Sequence, residues 1–103
     1  MKILEVYTLL YKIKPSPIVA LNRVIALGKA RGPEEGLREL TRIKDSEKLK
    51  AYPFYAAAFG EFHVLAGRPT EACSYFAEAV RLARTRSEAA LFERNLRVCG
   101  SGR

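Results

Sequence analysis

Apolar residues recur along this chain at three- and four-residue steps, the spacing of one face of an α-helix, and strand-like alternation is almost nowhere found. Residues 2–13 place Ile3, Tyr7, Leu10 and Tyr11 on one face. Pro15 is expected to end that segment, because proline disfavours helix in the residue before it. Ser16 then reads as an N-cap, with Pro17 at the first helical position. The second helix, about 17–30, is apolar on most sides, as a helix sandwiched between neighbours must be. Gly32-Pro33 breaks the chain and opens a third helix over about 33–44, with Leu37, Leu40 and Ile43 as its stripe and Glu34 paired with Arg38.

The segment "DSEKLKAYP" is a polar connector with room for one helical turn. Pro53 opens a fourth helix, about 53–66, with Tyr55, Phe59, Phe62 and Ala66 in line. After Gly67-Arg68-Pro69 a fifth helix, about 69–84, turns Ala72, Tyr75, Phe76, Ala79 and Ala83 inward. Thr85 and Glu88 have the spacing of a capping box, and a sixth helix follows to about 99 with Ala89, Phe92, Leu96 and Cys99 in line. The closing "GSGR" is a helix stop and a frayed tail.

Two copies of one unit are visible in this order. Gly32-Pro33 corresponds to Gly67-Arg68-Pro69, and Gly36, Leu40 and Ile43 correspond to Ala72, Phe76 and Ala79. A helix-turn-helix unit repeating at about 34 residues is the mark of tetratricopeptide-type stacking. Small residues such as Gly60 and Ala72 let antiparallel helices approach, and an aromatic fills the groove between them. The expected fold is all-α: about six helices in antiparallel pairs, stacked as a short tetratricopeptide-like α-solenoid. One domain is expected over 1–103, with a leading helix (1–14), a first pair and connector (15–50), a second pair (51–84) and a closing helix (85–100).

A chain of 103 residues with 49% hydrophobic content suits one small domain with a core. No apolar run is long enough to span a membrane, and Glu5, Lys12 and Lys14 interrupt the opening apolar stretch where a secretory leader would be continuous. A soluble, cytoplasmic protein is expected. Cys73 and Cys99 lack metal-ligand spacing to any other Cys or to His63, so free buried or half-buried thiols are expected rather than a disulfide. The net charge of +7 favours an acidic partner, although the cations are spread along every segment. His63 has no nucleophile nearby and reads as a packing residue; Tyr52, Phe54, Tyr55, Phe59 and Phe62 read as core. Paired carboxylates, a metal cluster and a glycine-rich phosphate loop are missing, and "GKARG" lacks the phosphate-loop spacing and its Lys-Ser/Thr ending. No enzyme activity, cofactor or metal is expected.

The stretch "LYKIKPSPIVALNRVIALGKARGPEEGLREL", continued by "GRPTEACSYFAEAVRLARTRSEAALFERNL", resembles the C-terminal helical extension of one group of bacterial extracytoplasmic-function RNA polymerase sigma factors. It covers roughly residues 3–98, and "PSPIVALNR" is its specific part. The resemblance implies an accessory domain that regulates transcription initiation through the sigma domains, RNA polymerase or a protein ligand. The family's polymerase-binding and helix-turn-helix domains are not found in this sequence, so the fragment is not expected to initiate transcription. Two other readings stay open: a basic helical module binding nucleic acid directly, and a free-standing tetratricopeptide-like adaptor.

One polar pair, Asn22-Arg23, interrupts the apolar second helix. In one reading Asn22, Ala26 and Lys29 face a groove lined by residues 17–30 and 53–66, where Asn22, Arg23, Lys29 and Glu61 grip an acidic peptide or a sigma domain. In the other, Arg23 pairs internally, with Glu61 as its partner, and Asn22 caps a loop. Arg81, Arg84 and Arg86 crowd the end of the fifth helix, as the helix dipole alone would favour, or as an anion-binding patch.

Overall fold

Four of the helices start on a proline. In the computed structural model, which describes residues 3–13 and 16–101, the elements are α1 (Ile3–Ile13), α2 (Pro17–Arg31), α3 (Pro33–Leu40), a 3-10 turn (Ser46–Leu49), α4 (Pro53–Leu65), α5 (Pro69–Leu82) and α6 (Arg86–Ser101). A proline at the first helical position sacrifices no hydrogen bond, because the amide there has no intrahelical partner, and its φ is already helical. The fold is all-α, with no strand among the described residues. Lys14 and Pro15, where the first segment was expected to end, lie outside the described residues, as do Met1, Lys2, Gly102 and Arg103.

The caps follow the sequence closely. Ser16 Oγ accepts from the Val19 amide at 3.1 Å, and Thr85 Oγ1 accepts from the Glu88 amide at 3.0 Å. The Glu88 carboxylate reaches one residue further back than a capping box requires and takes the Arg84 amide at 2.9 Å. At the end of α4 the Arg68 amide donates to His63 O (2.8 Å) and the Gly67 amide to Val64 O (3.0 Å), the paired bonds of a Schellman motif. Gly67 has φ 83° and Gly32 has φ 116°, so both turns use backbone that a side chain would strain.

Two compact units make up the chain, Met1–Leu49 and Lys50–Arg103. In the first, α1 packs on α2 and α2 on α3; in the second, α4 packs on α5 and α5 on α6. The helices of the second unit run antiparallel: His63 near the end of α4 meets Glu71 near the start of α5 while Phe59, a turn earlier, meets Tyr75, a turn later, and Arg84 and Glu88 meet beside the α5–α6 turn while Cys73 and Cys99 meet far from it. Each unit thus has the local arrangement of a helical-repeat protein. The equivalent positions Gly36, Leu40 and Ile43, and Ala72, Phe76 and Ala79, are all buried.

Three expectations need correction. First, α3 stops at Leu40 rather than near 44. Thr41 Oγ1 donates to Arg38 O at 2.7 Å and the Arg42 amide to Glu39 O at 3.1 Å, so a competing side-chain bond and a tightened turn end the helix. Ile43 is buried from the turn that follows. Second, α1 turns a different face inward. Leu4, Tyr7, Thr8 and Tyr11 are half-buried, whereas Ile3 and Leu10 are exposed. Third, Cys73 and Cys99 form a disulfide, with Cα atoms 5.9 Å apart, that joins α5 to α6. The antiparallel register of the two helices brings together cysteines whose sequence spacing carries no signal.

One core cluster of the second unit is Ala72, Phe76 and Cys99, with Ala57, Cys73 and Leu96 against it, and Phe62, Ala79 and Phe92 are buried in the same unit. Phe76 lies directly on the backbone of Gly60: a Cβ placed there would stand 2.9 Å from Cε1 and Cζ of the ring. Around it, Tyr55, Phe59, Tyr75 and His63 form a ladder of rings with centroids 5.1–5.4 Å apart. His63 is therefore a packing residue, as expected, lying flat on Tyr75.

An interior helical Gly→Ala normally gains about 1 kcal/mol. At Gly60 we expect the reverse, a net loss of roughly 1–2 kcal/mol from overpacking against Phe76, recovered in part by Phe76→Leu in the same chain. Ala72→Leu should cost roughly 1–3 kcal/mol for the same reason. Thermal melts that leave both variants at the parental midpoint would remove the close crossing of α4 and α5. The disulfide closes a loop with a sequence separation of 26 residues. Reductant should lower stability by about 3.5 kcal/mol in the chain-entropy account, and Cys99→Ser should abolish that response; identical melts with and without reductant would show that the bond is not formed.

Candidate functional site

Asn22 and Arg23 are adjacent on α2, and a step of one residue turns the side chain by about 100° around a helix. The two therefore look into different clefts. Asn22 joins Ala26 and Lys29, the stripe expected from sequence, on the wall of an open cleft of about 440 Å³ between α1 and α2. Ile3, Leu4, Tyr7, Ile25 and Ala30 complete it. The lining is apolar apart from the Asn22 amide, the Lys29 ammonium and the Tyr7 hydroxyl. Such a trough suits an apolar side chain flanked by a carboxylate or a backbone amide.

Arg23 is turned away from that cleft. Its Nε donates to Thr8 Oγ1 at 3.0 Å, and the Thr8 hydroxyl donates onward to Leu4 O at 2.9 Å. Arg23 does pair internally, and the partner within its own unit is a threonine on α1. This bond also explains the face that α1 turns inward: Thr8 sits in the middle of the Leu4, Tyr7 and Tyr11 stripe and makes it read as broken.

Glu61 belongs to the second unit, so residues 17–30 and 53–66 supply clefts in different units. Glu61 lines a cleft of about 260 Å³ with Val64, Leu65, Phe76, Arg94, Asn95 and Val98. The arginine cluster at the end of α5 is largely committed. Arg81 holds Glu78 through both Nε and Nη2. Arg84 holds Glu88, with Nη2 3.0 Å from Oε2, and its guanidinium lies 5.2 Å from the centroid of the Tyr52 ring. The hydrogen bonds of Arg81 and Arg84 hold the carboxyl groups of Glu78 and Glu88 below the usual carboxylate range, and the two guanidinium groups are raised in turn. Arg86 is exposed at the start of α6. An anion arriving at this corner would have to displace two carboxylates.

A further cluster was not expected from sequence. Arg68 Nε lies 3.2 Å from His63 Nδ1 and 3.0 Å from Glu71 Oε1. Nδ1 accepts this bond, which places the proton of neutral His63 on Nε2. The four-residue step from Glu71 to Tyr75 puts both on one face of α5, and only the antiparallel return of α4 brings His63 to them. Among the described residues, no group of three or more His, Cys, Asp or Glu side chains could hold a metal ion.

No family model matches the chain, and no solved structure matches it. It is similar to an uncharacterized protein of Rhizobium meliloti (strain 1021), 37% identical over 90 residues. The match takes in 87% of this chain but only 21% of the relative, so the chain spans about a fifth of the length of the curated relative it matches.

The Arg23–Thr8 bond can be tested without any ligand. Thr8→Val leaves a charged donor without its acceptor and should cost roughly 1–2 kcal/mol. Arg23→Ala should show a coupling with Thr8→Val of about 1 kcal/mol in a double-mutant cycle read by chemical denaturation. Strictly additive effects would mean that the two side chains do not meet.

Proposed function

We propose that this chain is an accessory protein-interaction domain, of the kind that the resemblance to extracytoplasmic-function sigma factors implies, acting on transcription initiation through the sigma domains, RNA polymerase or a protein ligand. The observation that carries the reading is the α1–α2 cleft, where Asn22 and Lys29 stand over an apolar floor. Clefts between stacked helices hold peptide segments by burying apolar side chains and fixing their direction with a few polar groups. A relative of which the chain spans only about a fifth supports a part played inside a larger architecture. A direct nucleic-acid interface is less favoured, because Arg81 and Arg84 are held by Glu78 and Glu88.

The cytoplasm is the compartment that the resemblance implies. No helix among the described residues is long and apolar enough to cross a membrane. In a reducing cytoplasm Cys73 and Cys99 would persist as two adjacent thiols, and the Phe76 packing would carry the α5–α6 contact without the bond.

The test is calorimetric titration of the whole chain with a fragment holding the two sigma domains of a full-length member of the resembled group. Saturable binding of one fragment per chain is expected. Asn22→Ala should weaken it about tenfold, the scale of one lost hydrogen bond to a charged group, and leave the melting temperature nearly unchanged. An absence of binding would overturn the reading. Tight, steeply salt-dependent binding to random-sequence duplex DNA in its place would support the nucleic-acid alternative.

A further inference from the structure

α1 is the most apolar-looking helix of the first unit and yet none of its residues is buried. Its inward face is Leu4, Tyr7, Thr8 and Tyr11, all half-buried. The opposite face carries Val6, Leu9, Leu10 and Ile13, and Ile3 continues it at the edge of the Asn22 cleft; the exposures are 47%, 58%, 42%, 71% and 49% in that order. These five side chains form an unbroken stripe at three- and four-residue steps, and no polar residue stands within it. Leaving five large aliphatic side chains in water on one short helix is unfavourable relative to covering them.

The charges beside the stripe say what covers it. Glu5 and Lys12 are both exposed. They are seven residues apart, so they lie on the same flank of the stripe, two turns from each other. When two copies of a helix pair antiparallel about a two-fold axis, each flank faces the same flank of its partner. Pairing centred near Thr8 and Leu9 sets Glu5 of one copy level with Lys12 of the other, and Lys12 level with Glu5. A centre half a residue toward Thr8, less than about 1 Å away, opposes Ile3 to Ile13 and Val6 to Leu10. A parallel pairing offers neither match, because it turns the Glu5–Lys12 flank toward the opposite flank of the partner, where Ile3 and Tyr7 lie.

We propose that the exposed face of α1 is an isologous interface: a second copy of this chain docks on it, antiparallel, through Ile3, Val6, Leu9, Leu10 and Ile13, with reciprocal Glu5–Lys12 ion pairs. Two such faces bury roughly 1,000 Å² together, the lower end of specific interfaces. The dimer is therefore one of moderate strength, with Kd on the order of 1–100 μM. This surface goes beyond the Asn22 cleft: Val6, Leu10 and Ile13 line none of the clefts described above.

Sedimentation velocity on the whole chain from about 1 to 300 μM reads the assembly, a range set to bracket that affinity. A monomer–dimer equilibrium is expected. Leu10→Glu should leave monomer throughout, with circular dichroism confirming that the chain remains helical. Glu5→Lys alone and Lys12→Glu alone should each weaken the dimer about three- to tenfold by opposing like charges at two symmetric places. The double exchange, Glu5→Lys with Lys12→Glu, should restore it to within about twofold, because the pairs are rebuilt with reversed sign. A monomer at every concentration overturns the proposal. In that case, binding of the monomer to anionic phospholipid vesicles would assign the stripe to a membrane surface instead. A dimer that survives Leu10→Glu, or one that the double exchange fails to restore, overturns the antiparallel α1 interface.

Discussion

The second unit depends on the contact between the Phe76 ring and the bare backbone of Gly60. A glycine in mid-helix weakens the helix locally, yet here it creates the hollow that an aromatic ring fills. With the ring seated, Ala72 and Cys99 cluster with it, and Ala57 and Leu96 pack against that cluster. The closeness of α4 and α5 then allows the ring ladder from Tyr55 to His63 on one side and the Cys73–Cys99 bond to α6 on the other. A larger residue at position 60 would press on all of these at once.

The first unit holds itself together by other means. Its α2 is apolar on most sides because α1 and α3 both pack on it. The one charged residue within its first three turns, Arg23, is accommodated by a threonine hydroxyl of α1 that also bonds its own helix. A half-buried guanidinium satisfied by a neutral acceptor keeps its charge partly solvated, which avoids the penalty of full burial. The same arrangement leaves Asn22, one position earlier, uncommitted to that bond and aimed into the neighbouring cleft.

Most of the ion pairs are local. Glu35 with Arg38, Glu39 with Arg42, Arg68 with Glu71, Glu78 with Arg81 and Arg84 with Glu88 are three or four residues apart. Such pairs, screened by solvent, stabilise helix surfaces only weakly and do not form a concentrated field. A net charge of +7 therefore describes a solvated exterior more than an anion site. The features suited to recognition are apolar: the trough under Asn22 and Lys29, and the outer face of α1.

Helix number, turn positions and caps were legible in the sequence because they are local. Proline at the first helical position, Ser16 and Thr85 as caps and Gly32 and Gly67 at the turns each act within four residues of themselves. The buried positions of the repeat were legible for the same reason, since burial follows the helical period. Other features needed the tertiary structure. Periodicity offers α1 two apolar faces of similar length, and the choice between them rests on Thr8 meeting Arg23 from the next helix. The disulfide and the His63–Arg68–Glu71 cluster rest on antiparallel register, which pairs residues lying at equal distances on the two sides of a turn. Asn22 and Arg23 were marked by sequence as one polar pair, and only the placement of α1 beside α2 gave them separate tasks, because adjacent residues on a helix point about 100° apart.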